Sequence, residues 1–182
     1  MIMTDVSILL ISGPLAVGKT SVRETLVAHH GYLALQSSTF LRELASSRGM
    51  PSERASLQTL GDFQDTETQF SWVVKSVALP QIQENPERKF WVFDAVRKPE
   101  QVALFREQFG AAIRHVHLTC SEPVLKQRYE LRSRQDDSVS YEVAINHPNE
   151  VASRSLSRIA DQIFRMDDLT SEEVSKIIVG RR

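Results

Sequence analysis

Residues 9–20, LLISGPLAVGKT, carry an apolar run straight into a turn bounded by two glycines and closed by Lys19 and Thr20. The run over residues 6–11 reads as a buried strand, because it leads directly into the turn and is far too short to cross a bilayer. A helix is expected over residues 19–30, with Gly31 as its stop. Strand, glycine turn and helix in that order form the first unit of an α/β protein.

The rest of the chain repeats the alternation. Strand signals recur at residues 32–35, 89–94, 115–119 and 163–166. The third of the five, KFWVFD, is almost wholly apolar until Asp94, as a strand covered on both faces should be. Helical spacing links Phe40, Leu41, Leu44 and Ala45 until Gly49, Met50 and Pro51 intervene, and Ser52 is placed to cap a short helix reaching Leu60. Phe63, Phe70, Val73, Val74 and Val77 fall on one helical face that reads as core, with Trp72 off that stripe. Pro99 opens a helix, and further helices are expected over residues 123–134 and 171–179. The expectation is an α/β fold of three layers, a five-stranded parallel sheet flanked by helices, in a single domain over residues 1–182.

Composition narrows the function. A formal net charge of −1 and a pI near 6.5 leave no global positive field for a nucleic acid or an anionic membrane. An anionic ligand must therefore meet a local cluster of basic residues, and small molecules are the expected partners, with the oligomeric state open. Cys120 is the only cysteine, so neither an intramolecular disulfide nor a thiolate zinc site can form. That usage fits a cytoplasmic protein. The first residues have no basic leader and include Asp5, unlike a signal peptide.

Gly13, Gly18, Lys19 and Thr20 complete the pattern G-x-x-x-x-G-K-[ST]. The glycines permit backbone angles that turn several N–H groups inward around the β-phosphate, with Pro14, Leu15, Ala16 and Val17 forming the loop between them. The following helix aims the positive end of its dipole at the same point. Lys19 is placed to reach the β- and γ-phosphates, Thr20 to ligate Mg²⁺, and Ser21 to meet the α-phosphate. The implied ligands are ATP and Mg²⁺.

Sensing or hydrolysing the triphosphate requires other signatures. Neither N-K-x-D nor D-x-x-G, the guanine and γ-phosphate readers of GTPase switches, occurs in the chain, and Ala95 follows Asp94 where motor ATPases carry a Glu that activates water. Transfer to a bound acceptor is the better reading.

Five segments then resemble the P-loop nucleotide kinases of the adenylate kinase-like (nucleoside monophosphate kinase) group. GPLAVGKT is similar to that group's phosphate loop, with Ala16 where a glycine is common. SSTFLREL, residues 37–44, resembles its acceptor-binding segment, with Thr39 in place of the usual Asp. VFDAVRKPEQ, residues 92–101, is similar to the D-G-V-R-x-P-E form of poorly characterised members, and QRYELRSRQDD, residues 127–137, resembles the arginine-rich lid. ADQIFRMDD, residues 160–168, resembles the last strand. The resemblance implies that Ser37, Arg42 and Arg97 contact the acceptor phosphate, that Asp94 holds Mg²⁺ through water, and that Arg128, Arg132 and Arg134 belong to a lid over residues 128–147, with the acceptor segment over residues 37–84.

The implied reaction is Mg²⁺-dependent transfer of the ATP γ-phosphoryl group to a nucleoside or deoxynucleoside monophosphate. Two alternatives stay open: a small-metabolite kinase acting on a hydroxyl, with Asp94 or Asp62 as the base, and a non-catalytic NTP-binding regulatory protein. Arg154 and Arg158 read as solvated helix arginines. His147 before Pro148 reads as a helix start, and His115 and His117 flank the core without a nucleophile or metal set to serve.

Overall fold

The computed structural model of the protein describes residues 6–132 and 139–181. Its strands are β1 (Ser7–Ser12), β2 (Leu33–Ala34), β3 (Phe90–Phe93), β4 (Ile113–Thr119) and β5 (Gln162–Arg165). All pairings are parallel, in the order β2-β3-β1-β4-β5. From β1 the chain crosses to β2 at one edge, returns to β3 between the two, and then passes to β4 and β5 on the other side of β1. The order thus reverses at β1, and the crevice beyond the carboxyl ends of β1, β3 and β4 is where such sheets bind ligands.

Nine helices of α type are described: α1 (Lys19–His29), α2 (Ser37–Ser47), α3 (Arg54–Glu67), α4 (Leu79–Glu84), α5 (Pro99–Phe109), α6 (Glu122–Arg132), α7 (Tyr141–Ala144), α8 (Pro148–Ser155) and α9 (Ser171–Val179). Successive strand residues point to opposite faces, so β1 feeds two cores. Ile8 and Leu10 join Trp91, Phe93, Val102 and Phe105 on one face. Leu9 and Ile11 join Val22, Leu26, Val116, Leu118 and Ile178 on the other. With both faces covered by helices, the sheet has the three layers expected of its near-continuous apolar strands.

The expected helical stripe from Phe63 to Val77 does not exist as one face. After α3 the backbone takes positive φ at Gln69 (49°) and Phe70 (64°), then resumes in a wide, π-helical stretch, Val73–Ala78. The Thr68 hydroxyl occupies the Gln64 carbonyl at 2.7 Å and accepts the Trp72 N–H at 3.2 Å, so the helix ladder is replaced locally by a side chain. The break rotates the two halves. Phe63 is left 46% exposed under the Arg48 guanidinium, whereas Trp72, read as lying off the stripe, is buried and stacked on Phe40.

Two smaller expectations also change. α3 begins after Glu53, with no side-chain cap from Ser52. The lid expected over residues 128–147 holds the end of α6 and the short helix α7, whose Tyr141 is buried against Tyr129; its residues 133–138 lie outside the described ones.

Candidate active site

The loop between β1 and α1 depends on backbone angles that only part of its sequence accepts easily. Gly13 has φ of 144°, and a Cβ there would stand 2.5 Å from the Leu118 carbonyl oxygen of β4. Gly18, with φ of 106°, occupies the N-cap position of α1. Ala16, where a glycine is common in similar loops, adopts φ of 63°, a left-handed angle that strains a residue bearing a Cβ by about 1 kcal/mol. No side chain caps α1 and its first turn contains no acid. The N–H groups at its start are therefore available to an anion.

Lys19 folds back on the loop, donating from Nζ to the carbonyls of Gly13 at 2.6 Å and Pro14 at 2.8 Å. Burial lowers its pKa to about 8; Glu150 opposes that shift, Arg97 adds to it, and Asp94 and Arg132 act more weakly in opposite senses. These influences put Arg97, Arg132, Glu150 and Asp94 within electrostatic reach of one ammonium. Arg128 is closer still to the loop itself, donating to the Val17 carbonyl at 3.4 Å and to that of Met166 at 3.3 Å.

Asp94 leaves the end of β3 half-buried, and both its oxygens face the Arg23 guanidinium of α1, at 3.2 and 3.3 Å. The sequence reading overlooked Arg23, four residues after Lys19. The donor set suits Mg²⁺, a hard cation that takes a hydroxyl, one carboxylate and substrate phosphates rather than a dedicated protein cage. Thr20 at the start of α1 and Asp94 after β3 carry a hydroxyl and a carboxylate of the kind such a site would use, and among the described residues no group of three or more His, Cys, Asp or Glu side chains gathers.

The other predicted residues are placed less tightly. Ser37 starts α2 and Arg42 stands exposed on it. Ser21 is exposed in the first turn of α1. Arg134 lies outside the described residues. Arg97 is exposed, but its backbone is fixed: its N–H donates to Gln101 Oε1 at 3.0 Å. Gln101 in turn donates to Asp65 at 3.1 Å, and that buried carboxylate also accepts Trp72 Nε1–H at 2.7 Å and pairs with Lys98 at 2.9 Å. Helix α3 is thereby tied to the start of α5.

Sequence reasoning placed a helix start at His147 and Pro148, where α8 begins with His147 as its cap, but missed the contacts this helix makes. Glu150 Oε1 accepts the Leu15 N–H at 2.9 Å and Ser153 Oγ donates to the Gly13 carbonyl at 2.9 Å, both reaching the phosphate loop. Arg154, read as a solvated arginine, is half-buried; it donates to Glu150 at 2.9 Å and pairs with Glu122 of α6. Toward α3, Asn149 donates to Asp62 at 2.7 Å and His147 meets Gln58 at 3.2 Å. The i,i+4 spacing of Glu150 and Arg154 was the one signal available.

Below the loop, His115 and His117 on β4 are buried and share the hydroxyl of Ser12, at 2.7 and 2.8 Å. Burial pushes both imidazoles down to about 4. They are neutral packing groups with a polar contact, as their strand position implied.

With the loop, its basic surroundings and the sheet order established, the AAA domain family is found to match residues 9–152. The chain belongs to that family. No curated protein sequence matches it. Solved structures share its fold. A gluconokinase from Sinorhizobium meliloti 1021 is similar over 96% of this chain and 92% of its own, with 16% identity and a TM-score of 0.53. A sugar kinase from Janibacter sp. HTCC2649 covers 96% and 93%, at 12% identity and a TM-score of 0.58. The YorR protein of Bacillus subtilis, in complex with phosphorylated GDP, covers 96% and 95%, at 15% identity and 0.54. The fold is that of P-loop kinases. Among the described residues no helix is long and apolar enough to cross a membrane.

Proposed function

We propose that the chain transfers the γ-phosphoryl group of ATP to a nucleoside or deoxynucleoside monophosphate. One observation carries this reading: Arg97 and Arg132 both bear electrostatically on Lys19 at a loop whose helix start has neither a cap nor an acid. Like charges gathered at such a place are arranged for polyanions. A monophosphate acceptor brings an oxygen that is already anionic, so the reaction needs alignment and charge neutralisation more than a base. Arg97, Arg128, Arg132 and Lys19 supply charge, and Ala95 after Asp94 leaves no acid in the place where a hydrolytic Glu is expected. Mg²⁺, held by Thr20 and through water by Asp94, would neutralise charge on the β- and γ-phosphate oxygens. The resemblance of residues 37–44 and 92–101 to acceptor-binding segments supports a nucleotide acceptor, as does the phosphorylated GDP named for the YorR structure.

A hydroxyl acceptor is the second reading. Asp62 is 42% exposed on α3, with Asn149 and Lys98 orienting its carboxylate at 2.7 and 3.7 Å. A carboxylate so held is suited to take a hydroxyl proton, and two of the fold neighbours are named as a gluconokinase and a sugar kinase.

The test is product formation, followed by ³¹P NMR and ADP release, from ATP and Mg²⁺ with each common nucleoside monophosphate, deoxynucleoside monophosphate and a panel of sugars and sugar acids. Phosphorylation of alcohols alone selects the second reading. Fast ATP turnover without any acceptor removes both. Lys19→Ala should lower turnover by two to three orders of magnitude, on the order of losing one transition-state donor; a non-catalytic binder would lose only affinity and stability.

A further inference from the structure

The first limb of the phosphate loop is held from outside. Glu150 and Ser153 are one turn apart on α8 and so face the same way; one accepts the Leu15 N–H, the other donates to the Gly13 carbonyl, each at 2.9 Å. Ser153 is buried and the Glu150 side chain is only 11% exposed. Arg154 donates its Nε–H to the same Glu150 oxygen that takes the Leu15 N–H, and it is anchored to Glu122 of α6 and Tyr141 of α7. Immediately after Leu15 comes Ala16, whose left-handed angle is costly for a residue with a Cβ. A loop with a strained hinge needs surrounding contacts to hold it in that conformation.

We propose that Glu150 is a positioning residue for triphosphate binding: with Ser153 it clamps Gly13 and Leu15 so that Ala16 is kept left-handed and the N–H groups that follow converge on the phosphates. The inference rests on the nucleotide-binding reading of this loop. The clamp works through a hydrogen-bond acceptor, not through negative charge, which by itself would oppose a triphosphate. Its need arises from the side chain at position 16, and a glycine there would make it dispensable.

The experiment measures the affinity of the full chain for a non-hydrolysable ATP analogue with Mg²⁺ by calorimetry, beside the thermal midpoint, for wild type, Glu150→Ala, Glu150→Gln, Ser153→Ala, Ala16→Gly and the double variant Glu150→Ala/Ala16→Gly. Glu150→Ala should weaken the analogue about tenfold, the scale of a lost hydrogen bond to a charged group. Glu150→Gln, which keeps an acceptor oxygen, should stay within about threefold of wild type. Adding Ala16→Gly to Glu150→Ala should restore most of the loss. Should Glu150→Ala not fold, Ser153→Ala alone and with Ala16→Gly decides the matter in the same way. Unchanged affinity in Glu150→Ala or Ser153→Ala, equal losses in the Gln and Ala variants, or no rescue by Ala16→Gly overturns the clamp while the nucleotide reading survives. Failure of the wild-type chain to bind the analogue overturns the nucleotide reading, and the clamp with it.

Discussion

Acidification from pH 7 to pH 4 should destabilise this fold steeply, through two side chains. His115 and His117 are buried around the Ser12 hydroxyl and hold their pKa values near 4 against an ordinary 6.5. Below pH 6.5 the unfolded chain takes up protons that the folded chain refuses until about pH 4, so stability falls with pH across that window. Each imidazole alone accounts for roughly 3 kcal/mol once the window is crossed. The two share one hydroxyl, so their joint effect is less than twice that figure. Set against a typical stability of about 5–15 kcal/mol, this is a large fraction.

The acidic groups held low act in a different range. Arg154 keeps Glu122 below the ordinary carboxylate value, and Ser121 holds Asp167 near 2. Their contribution is present above the ordinary carboxylate pKa and fades only as pH falls below it, a range that meets the histidine window only at its acidic end. Urea unfolding followed by the fluorescence of buried Trp72 and Trp91, at pH 7, 6, 5 and 4.5, reads the slope directly. His117→Gln should be less stable at neutral pH yet lose about half as much stability as wild type between pH 7 and 4.5, because one of the two titrating groups is gone. Equal slopes in wild type and variant, or a flat wild-type profile, would refute the reasoning.

Gly13→Ala should abolish binding of an ATP analogue in calorimetry, because its Cβ would stand 2.5 Å from the Leu118 carbonyl oxygen and β4 cannot retreat without breaking its pairing with β1. Trp72→Phe removes the 2.7 Å donor to buried Asp65, and should cost about 1–3 kcal/mol in chemical denaturation. Arg97→Ala should raise the KM of the acceptor far more than that of ATP in steady-state assays; equal rises would mean that Arg97 serves both ligands.

The loop was legible in sequence because its chemistry is local. The angles of Gly13 and Gly18, the lysine after them and the bare start of α1 follow from a dozen consecutive residues. The strands were legible for a similar reason: with both faces of the sheet covered, β1 and β3 had to be apolar throughout. The break after α3 was hidden, since Phe63, Phe70 and Val77 keep helical spacing whether or not the Thr68 hydroxyl interrupts the ladder between them.

What the chain by itself determined is therefore the phosphate cradle and the α/β alternation. Only the tertiary structure decided which polar side chains surround that cradle. Leu15 and Glu150 are 135 residues apart, Gly13 and Ser153 140, and Arg23 and Asp94 71. Nothing in the local spacing of Ser153 or Arg23 separates them from solvated helix residues. Their partners are fixed by strand order and by the side of the sheet on which each helix returns, and a periodic pattern read along one segment contains neither.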